Sequence, residues 1–329
     1  MSDDYLWDAS GTPDADVERL EQLLAPLAPR TVPPLRHVPA ANPLTNRSRA
    51  TVLALAASLV LAIAGLLLPL RSQESAPGWT VAGVRGVTTL EPGRWLHTGS
   101  GETASIAVAN VGQVELEQGG RVRLLRSRAG DHRLELSRGT LHATIWAPPG
   151  QFFVETPSST AIDLGCAYTL TVDEEGSGIV TVTSGWVGFE WRGREAFIPA
   201  GSMALTRPGI GPGTPFTAAA SAEFRDALAT VDFSRDAGRR RAALPRVLAD
   251  ATAGDAVALW HLLDRVEATD RDAVYATLAR FAPPPSGVTR QGIVDGDRGM
   301  RDAWWDALGL GTAAWWRTWK QPWQDNRGR

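Results

Sequence analysis

The sequence predicts a multi-domain chain. An all-β domain, an antiparallel roll or sandwich of many short strands, is followed by an all-α unit. One transmembrane helix and a short amphipathic helix precede them. Three observations carry this reading. Residues 50–70 form an uninterrupted apolar run. From Trp79 to Arg207 short runs alternate apolar and polar residues between Gly-containing turns, the pattern of half-buried strands. Beyond a Gly/Pro-rich stretch at 207–215, apolar residues recur at helical spacing.

Residues 1–49 open the chain. Thr12-Pro13-Asp14 is a helix start, with a capping hydroxyl, proline at the first helical position and acidic residues at the positive helix end. Val17, Leu20, Leu23, Leu24 and Leu27 follow on one face. A Pro-rich linker, with Pro33-Pro34 and Pro39, leads on from them. A lone helix of this size has little neighbouring mass to bury its stripe. It reads as a docking helix for a cytoplasmic partner, with Val17, Leu20, Leu23 and Leu24 as the contact face. The alternative is packing on Tyr5, Leu6 and Trp7.

Residues 50–70, ATVLALAASLVLAIAGLLLPL, carry no charge. As a helix they would span about 31 Å, which matches a hydrocarbon core of roughly 30 Å. Their depth in the sequence and their length argue against a cleaved signal peptide. Arg30, Arg36, Arg47 and Arg49 precede the run, and Arg71 and Arg85 follow it. The positive-inside bias then puts the N-terminus in the cytoplasm and everything after the 71–78 stalk outside, in the periplasm of a cell that has one.

The β domain is assigned to 79–208. Turn signals fall at Gln118-Gly119-Gly120, Gly130-Asp131, Arg138-Gly139, Pro148-Pro149-Gly150, Glu175-Gly176 and Ser184-Gly185. The helical unit is assigned to 217–282, with helices expected at 218–231, 239–250, 254–266 and 270–281. Pro283-Pro284-Pro285 ends it. The last segment, 283–329, holds six of the thirteen tryptophans, Trp304, Trp305, Trp315, Trp316, Trp319 and Trp323. These either pack back on the helices or form an interfacial or partner surface.

Little here points to catalysis. No Gly-rich phosphate loop, G-x-S-x-G elbow or HExxH is present. Asp163, Glu174 and Glu175 are acidic candidates, but Asp173-Glu174-Glu175-Gly176 reads as a solvated hairpin turn. His261 reads as a packed or rim histidine. No catalytic, cofactor-binding or metal residue is assigned, and no enzyme activity is expected. A net charge of −3 gives no basic character for direct nucleic-acid binding. Cys166 is the single cysteine, which excludes an internal disulfide and a Cys-rich zinc module.

The β stretch resembles the FecR family of single-pass regulators with an extracytoplasmic β domain. The matching sequences are VRGVTTLEPGRWLHTGSGETASIAVANVGQVELEQGGRVRLL, LELSRGTLHATIW, FFVETPSSTAIDLGCAYTLTV and VTVTSGWVGFEWRGREAFIPAGSMAL. Leu164-Gly165-Cys166 stands at the family's Leu-Gly-Thr step, and Ser184-Gly185-Trp186-Val187 at its later Gly-x-Val. The resemblance implies control of an extracytoplasmic-function sigma factor on the cytoplasmic side, an extracytoplasmic protein partner, and no cofactor. Family members often end in a small α/β signalling domain, whereas 217–329 reads as helical, so the resemblance implies the output more directly than the signal. The alternative function is an envelope scaffold with no sigma-factor partner.

Overall fold

The computed structural model describes residues 78–311, together with Arg19, which is helical and exposed. The expected membrane run at 50–70 lies outside the described residues. Among the described residues no helix is long and apolar enough to cross a membrane.

Within residues 78–311 sixteen strands come first. They are β1 (Trp79–Ala82), β2 (Thr89–Leu90), β3 (Trp95–His97), β4 (Ala104–Val108), β5 (Gly112–Leu116), β6 (Arg121–Arg128), β7 (Asp131–Ile145) and β8 (Phe152–Glu155). Then follow β9 (Thr160–Asp163), β10 (Ala167–Val172), β11 (Gly178–Ser184), β12 (Trp186–Trp191), β13 (Arg194–Pro199), β14 (Ser202–Arg207), β15 (Gly211–Pro212) and β16 (Phe216–Thr217). Six α-helices follow among the described residues: α1 (Ala222–Phe233), α2 (Ala237–Asp250), α3 (Ala256–Leu262), α4 (Arg271–Phe281), α5 (Arg290–Val294) and α6 (Arg298–Ala307).

The strands form two sheets that share β7. Its first half pairs with β6 and β8, and its second half, from Gly139, pairs with β5 and β10. Buried positions run His132, Leu134, Leu136 in the first half and Leu141, Ala143, Ile145 in the second, so the alternation slips by one residue at the bend. That slip keeps both halves facing one core, because a one-residue shift otherwise turns a strand inside out. Arg138-Gly139, read from sequence as a turn between two strands, is therefore a corner within one strand. The pairs are antiparallel except β7 with β8, which is parallel. Parallel neighbours need a crossover, and here the second half of β7 and the 146–151 loop supply it.

Four passages of the chain from one sheet to the other meet as two glycine pairs. The β5–β6 passage sets Gly120 against Gly139, where an added Cβ on Gly139 would lie 2.5 Å from the Gly120 Cα. The β9–β10 passage sets Gly165 against Gly185, where an added Cβ on Gly185 would lie 2.1 Å from the Gly165 carbonyl oxygen. Gly139 and Gly185 also have φ of +93° and +68°, conformations that L side chains rarely adopt. The core between the sheets takes Val122, Leu134, Phe152 and Phe189 from one and Val114, Leu141, Leu170 and Val180 from the other.

The helices share a second core that includes Phe197 of β13 and Phe216 of β16. Leu228, Val247, Leu259, Leu262, Val274 and Leu278 fill it, and it continues through Ile293, Trp304 and Trp305. The Gly/Pro stretch between strands and helices is no exposed linker, since residues 211–216 are buried throughout. Gly213 fits there because a side chain would strike the Phe233 ring, 2.6 Å from an added Cβ.

Candidate functional site

The β13 strand ends the ladder on one side, past β12, with its outer hydrogen-bonding edge turned away from the sheet. An open edge of this kind invites a further strand. Here the helices close it. His261 of α3 accepts the Phe197 N–H through Nε2 at 3.0 Å, and Arg265 Nη2 donates to the Glu195 carbonyl at 2.7 Å. The other imidazole nitrogen, Nδ1, lies 2.8 Å from the Val257 carbonyl. A carbonyl only accepts, so Nδ1 carries the proton and Nε2 is left as an acceptor. Burial, then the neighbouring Arg265 charge, push the His261 pKa down to about 3, and the ring stays neutral.

Asp232, near the end of α1, organises the same seam. It is 7% exposed. Its Oδ1 accepts from Arg194 Nη2 at 2.7 Å, Arg265 Nη1 at 3.0 Å and Thr214 Oγ1 at 3.0 Å. Its Oδ2 accepts the Thr214 N–H at 2.6 Å. Arg194 also donates through Nε to the Pro212 carbonyl at 2.7 Å. One carboxylate thus joins β13, the buried Gly/Pro stretch, α1 and the turn after α3. Burial lowers the Arg265 pKa to about 10 while the Asp232 charge supports it, so the guanidinium remains charged. Apolar contact completes the latch. The Trp305 ring lies 5.8 Å from Trp186, 6.3 Å from Phe197 and 4.6 Å from Trp260, centroid to centroid.

A second buried polar cluster sits at the Gly165–Gly185 crossing. Asp163, 1% exposed, accepts the Gly165 N–H at 2.7 Å and the Cys166 thiol at 2.7 Å. Burial pushes the Asp163 pKa up to about 7 against the pull of these hydrogen bonds. Burial also pushes the thiol pKa up, and the Asp163 carboxylate adds to the effect. Reactive cysteines are exposed and have lowered pKa values. Cys166 is buried and shifted the other way, as a packed thiol.

The sequence-derived residues are distributed as follows. Val17, Leu20, Leu23 and Leu24 lie outside the described residues. Glu174 sits in the β10–β11 hairpin turn, closed by Asp173 and Ser177, and its carboxylate pairs with Arg138 at 2.9 Å. The Asp163 carboxylate is held separately at the crossing. His261 takes the packed reading of the two offered. Trp304 and Trp305 pack back on the helices, and the remaining C-terminal tryptophans lie outside the described residues. Arg194, Asp232 and Arg265 were not singled out from sequence. Their only sequence signals are an arginine in a strand edge and an aspartate at a helix end. Among the described residues no cluster of three or more His, Cys, Asp or Glu side chains is placed to hold a metal.

Residues 95–188 match the family described as FecR protein. This stretch runs from β3 into β12 and holds both glycine crossings, so the resemblance read from the sequence is borne out over it. Two crystal structures of a "putative anti-sigma factor" from Parabacteroides distasonis ATCC 8503 are similar to the chain at 15% and 16% identity, with TM-scores of 0.33 and 0.34. Each match covers 42% of this chain, and 65% and 64% of theirs, just under two thirds of their length. No curated protein matches the chain.

Proposed function

We propose, from a β domain that carries a FecR segment over residues 95–188, that this chain is a non-enzymatic, single-pass regulator of an extracytoplasmic-function sigma factor. The family match is the observation that carries the reading. The apolar run at 50–70 and the arginine bias on its N-terminal side support a cytoplasmic N-terminus and a body outside the membrane. The helix that the sequence predicts from Thr12 would hold the sigma factor through Val17, Leu20, Leu23 and Leu24. An extracytoplasmic partner or ligand would shift the balance between the bound and released states.

The body is suited to receive such an input as a unit. Residues 78–311 fall within one compact unit, and the Asp232 and His261 contacts tie its helices to the edge of the β domain. The test is co-purification of the full chain with extracytoplasmic-function sigma factors co-expressed with it. Leu20→Asp and Leu23→Asp are each expected to abolish capture while the chain still reaches the membrane. Undiminished capture by both variants overturns the docking helix. Failure of the unaltered chain to capture any sigma factor overturns the regulatory reading in favour of a scaffold.

A further inference from the structure

The seam that closes β13 also encloses a pocket of about 370 Å³ between that strand, α3 and α6. Pockets that hold small molecules start near this size, at roughly 300 Å³. Its lining is unusual in charge. Arg194, Arg265, Arg298 and Arg301 contribute four guanidinium groups, against the carboxylates of Asp264 and Glu195. Some of this charge is already engaged. Arg194 and Arg265 share Asp232, and Arg301 pairs with Asp264.

Two donors remain to be accounted for. Arg298 lines the pocket and is exposed to solvent. Arg301, beside it on α6, holds a buried Nε with no hydrogen-bond partner. A buried charged donor without an acceptor is costly, and native structures seldom keep one without a reason. The Arg301 guanidinium lies 5.1 Å from the centroid of the Trp260 ring, and Trp260 Nε1 donates to the Arg301 carbonyl at 2.7 Å. Its position is thus fixed by an aromatic wall rather than left to a mobile side chain. His261 responds to the same surplus. Burial is the first cause of the lowered pKa of His261, and the positive charges of Arg265 and Arg301 lower it further.

We propose that this pocket is a binding site for a small oxyanion, a carboxylate or a phosphate, with the exposed Arg298 as its ligand and the Arg301 guanidinium, held against Trp260, adding positive charge at its wall. Arginine suits the role because its planar fork donates two parallel hydrogen bonds to either group. The site joins the β13 edge to α3 and α6. An anion bound there tightens the same seam that His261 and Asp232 hold.

The test uses the full-length chain in detergent, followed by thermal unfolding, and no sigma factor takes part. Inorganic phosphate and succinate are titrated separately, each against sodium chloride at matched ionic strength. A saturable rise in Tm with either anion is expected, and the one that gives it names the class. Arg298→Glu should weaken the apparent affinity by about tenfold or more, the loss of one charge-assisted contact. Arg85→Glu, the same charge change at an exposed position between β1 and β2, should leave it unchanged. Arg298→Gln repeats the measurement without charge reversal. No saturable rise beyond chloride with either anion overturns the site. So does an equal loss in Arg85→Glu and Arg298→Glu, which would reduce the effect to general screening, and so does full affinity in both Arg298 variants.

Discussion

His261 Nε2 accepts the backbone N–H of Phe197 at 3.0 Å, so a helical side chain completes the edge of a strand 64 residues away. This contact has a distinct pH signature. The folded pKa near 3 lies below the ordinary 6.5. A depressed value means that folding excludes the proton. The stabilisation is full above about pH 6.5 and is lost as the pH falls toward 3. His261→Leu removes both the acceptor and the titration. At pH 7.5 it should cost about 1–3 kcal/mol, from the stranded Phe197 amide. Below pH 6.5 the gap to the unaltered chain should shrink by about 1.4 kcal/mol per pH unit. Denaturant unfolding at several pH values measures this, and a gap that stays constant with pH contradicts it.

Asp232→Asn should be the most damaging polar substitution in the body. It leaves Arg265, whose side chain is 7% exposed, without its counter-charge. Stranding one member of a buried ion pair costs about 3–5 kcal/mol. Arg194→Gln removes the other partner, whose side chain is 29% exposed. It should cost about 1 kcal/mol, because water screens that pair. If the two variants unfold at the same denaturant midpoint, the carboxylate does not organise the seam.

The fold was legible in the sequence where one physical rule acted alone. Period-two alternation marked the short strands, and Gly-containing pairs such as Glu175-Gly176 marked true hairpins. Arg138-Gly139 looked the same by composition, yet β7 continues through it around a corner, where Gly120 from the adjoining passage takes the space a side chain on Gly139 would fill. That requirement is tertiary and leaves no local mark. The Gly/Pro stretch was read as a boundary for the same reason: its burial depends on Phe233 and Asp232, contributed later in the chain. Of the seam, His261 was visible only as a histidine on an apolar helix. Arg194 and Asp232 pair across 38 residues, and Asp232 and Arg265 across 33, separations that no spacing rule reaches.

Asp163 sets an opposite pH trend. Its folded pKa, near 7, lies above the ordinary 3.8. Folding therefore favours the protonated acid. The stabilisation is full below about pH 3.8 and is lost as the pH rises through 7. Asp163→Asn, which cannot ionise, should gain stability relative to the unaltered chain by on the order of 3 kcal/mol between pH 5 and pH 8. Because His261 slopes the other way, the difference between the two chains is the quantity to measure. A difference that does not change with pH would show that Asp163 ionises freely.

The two glycine crossings should be among the least tolerant backbone positions of the β domain. Gly185→Ala places a methyl group 2.1 Å from the Gly165 carbonyl oxygen, and Gly139→Ala places one 2.5 Å from the Gly120 Cα. Both obstacles are backbone, so no side chain can swing aside. Each residue also holds a positive φ, which costs a non-glycine residue roughly 1–2 kcal/mol before any overlap is counted. With the enforced shift of two packed passages, each substitution should cost about 3 kcal/mol or more. Gly130→Ala makes the control. Its φ is +75°, but an added Cβ meets nothing within 4 Å, so only the conformational part applies. Thermal unfolding should rank Gly130→Ala well above the other two. Equal Tm values for all three would mean that the crossings carry no more than the cost of positive φ.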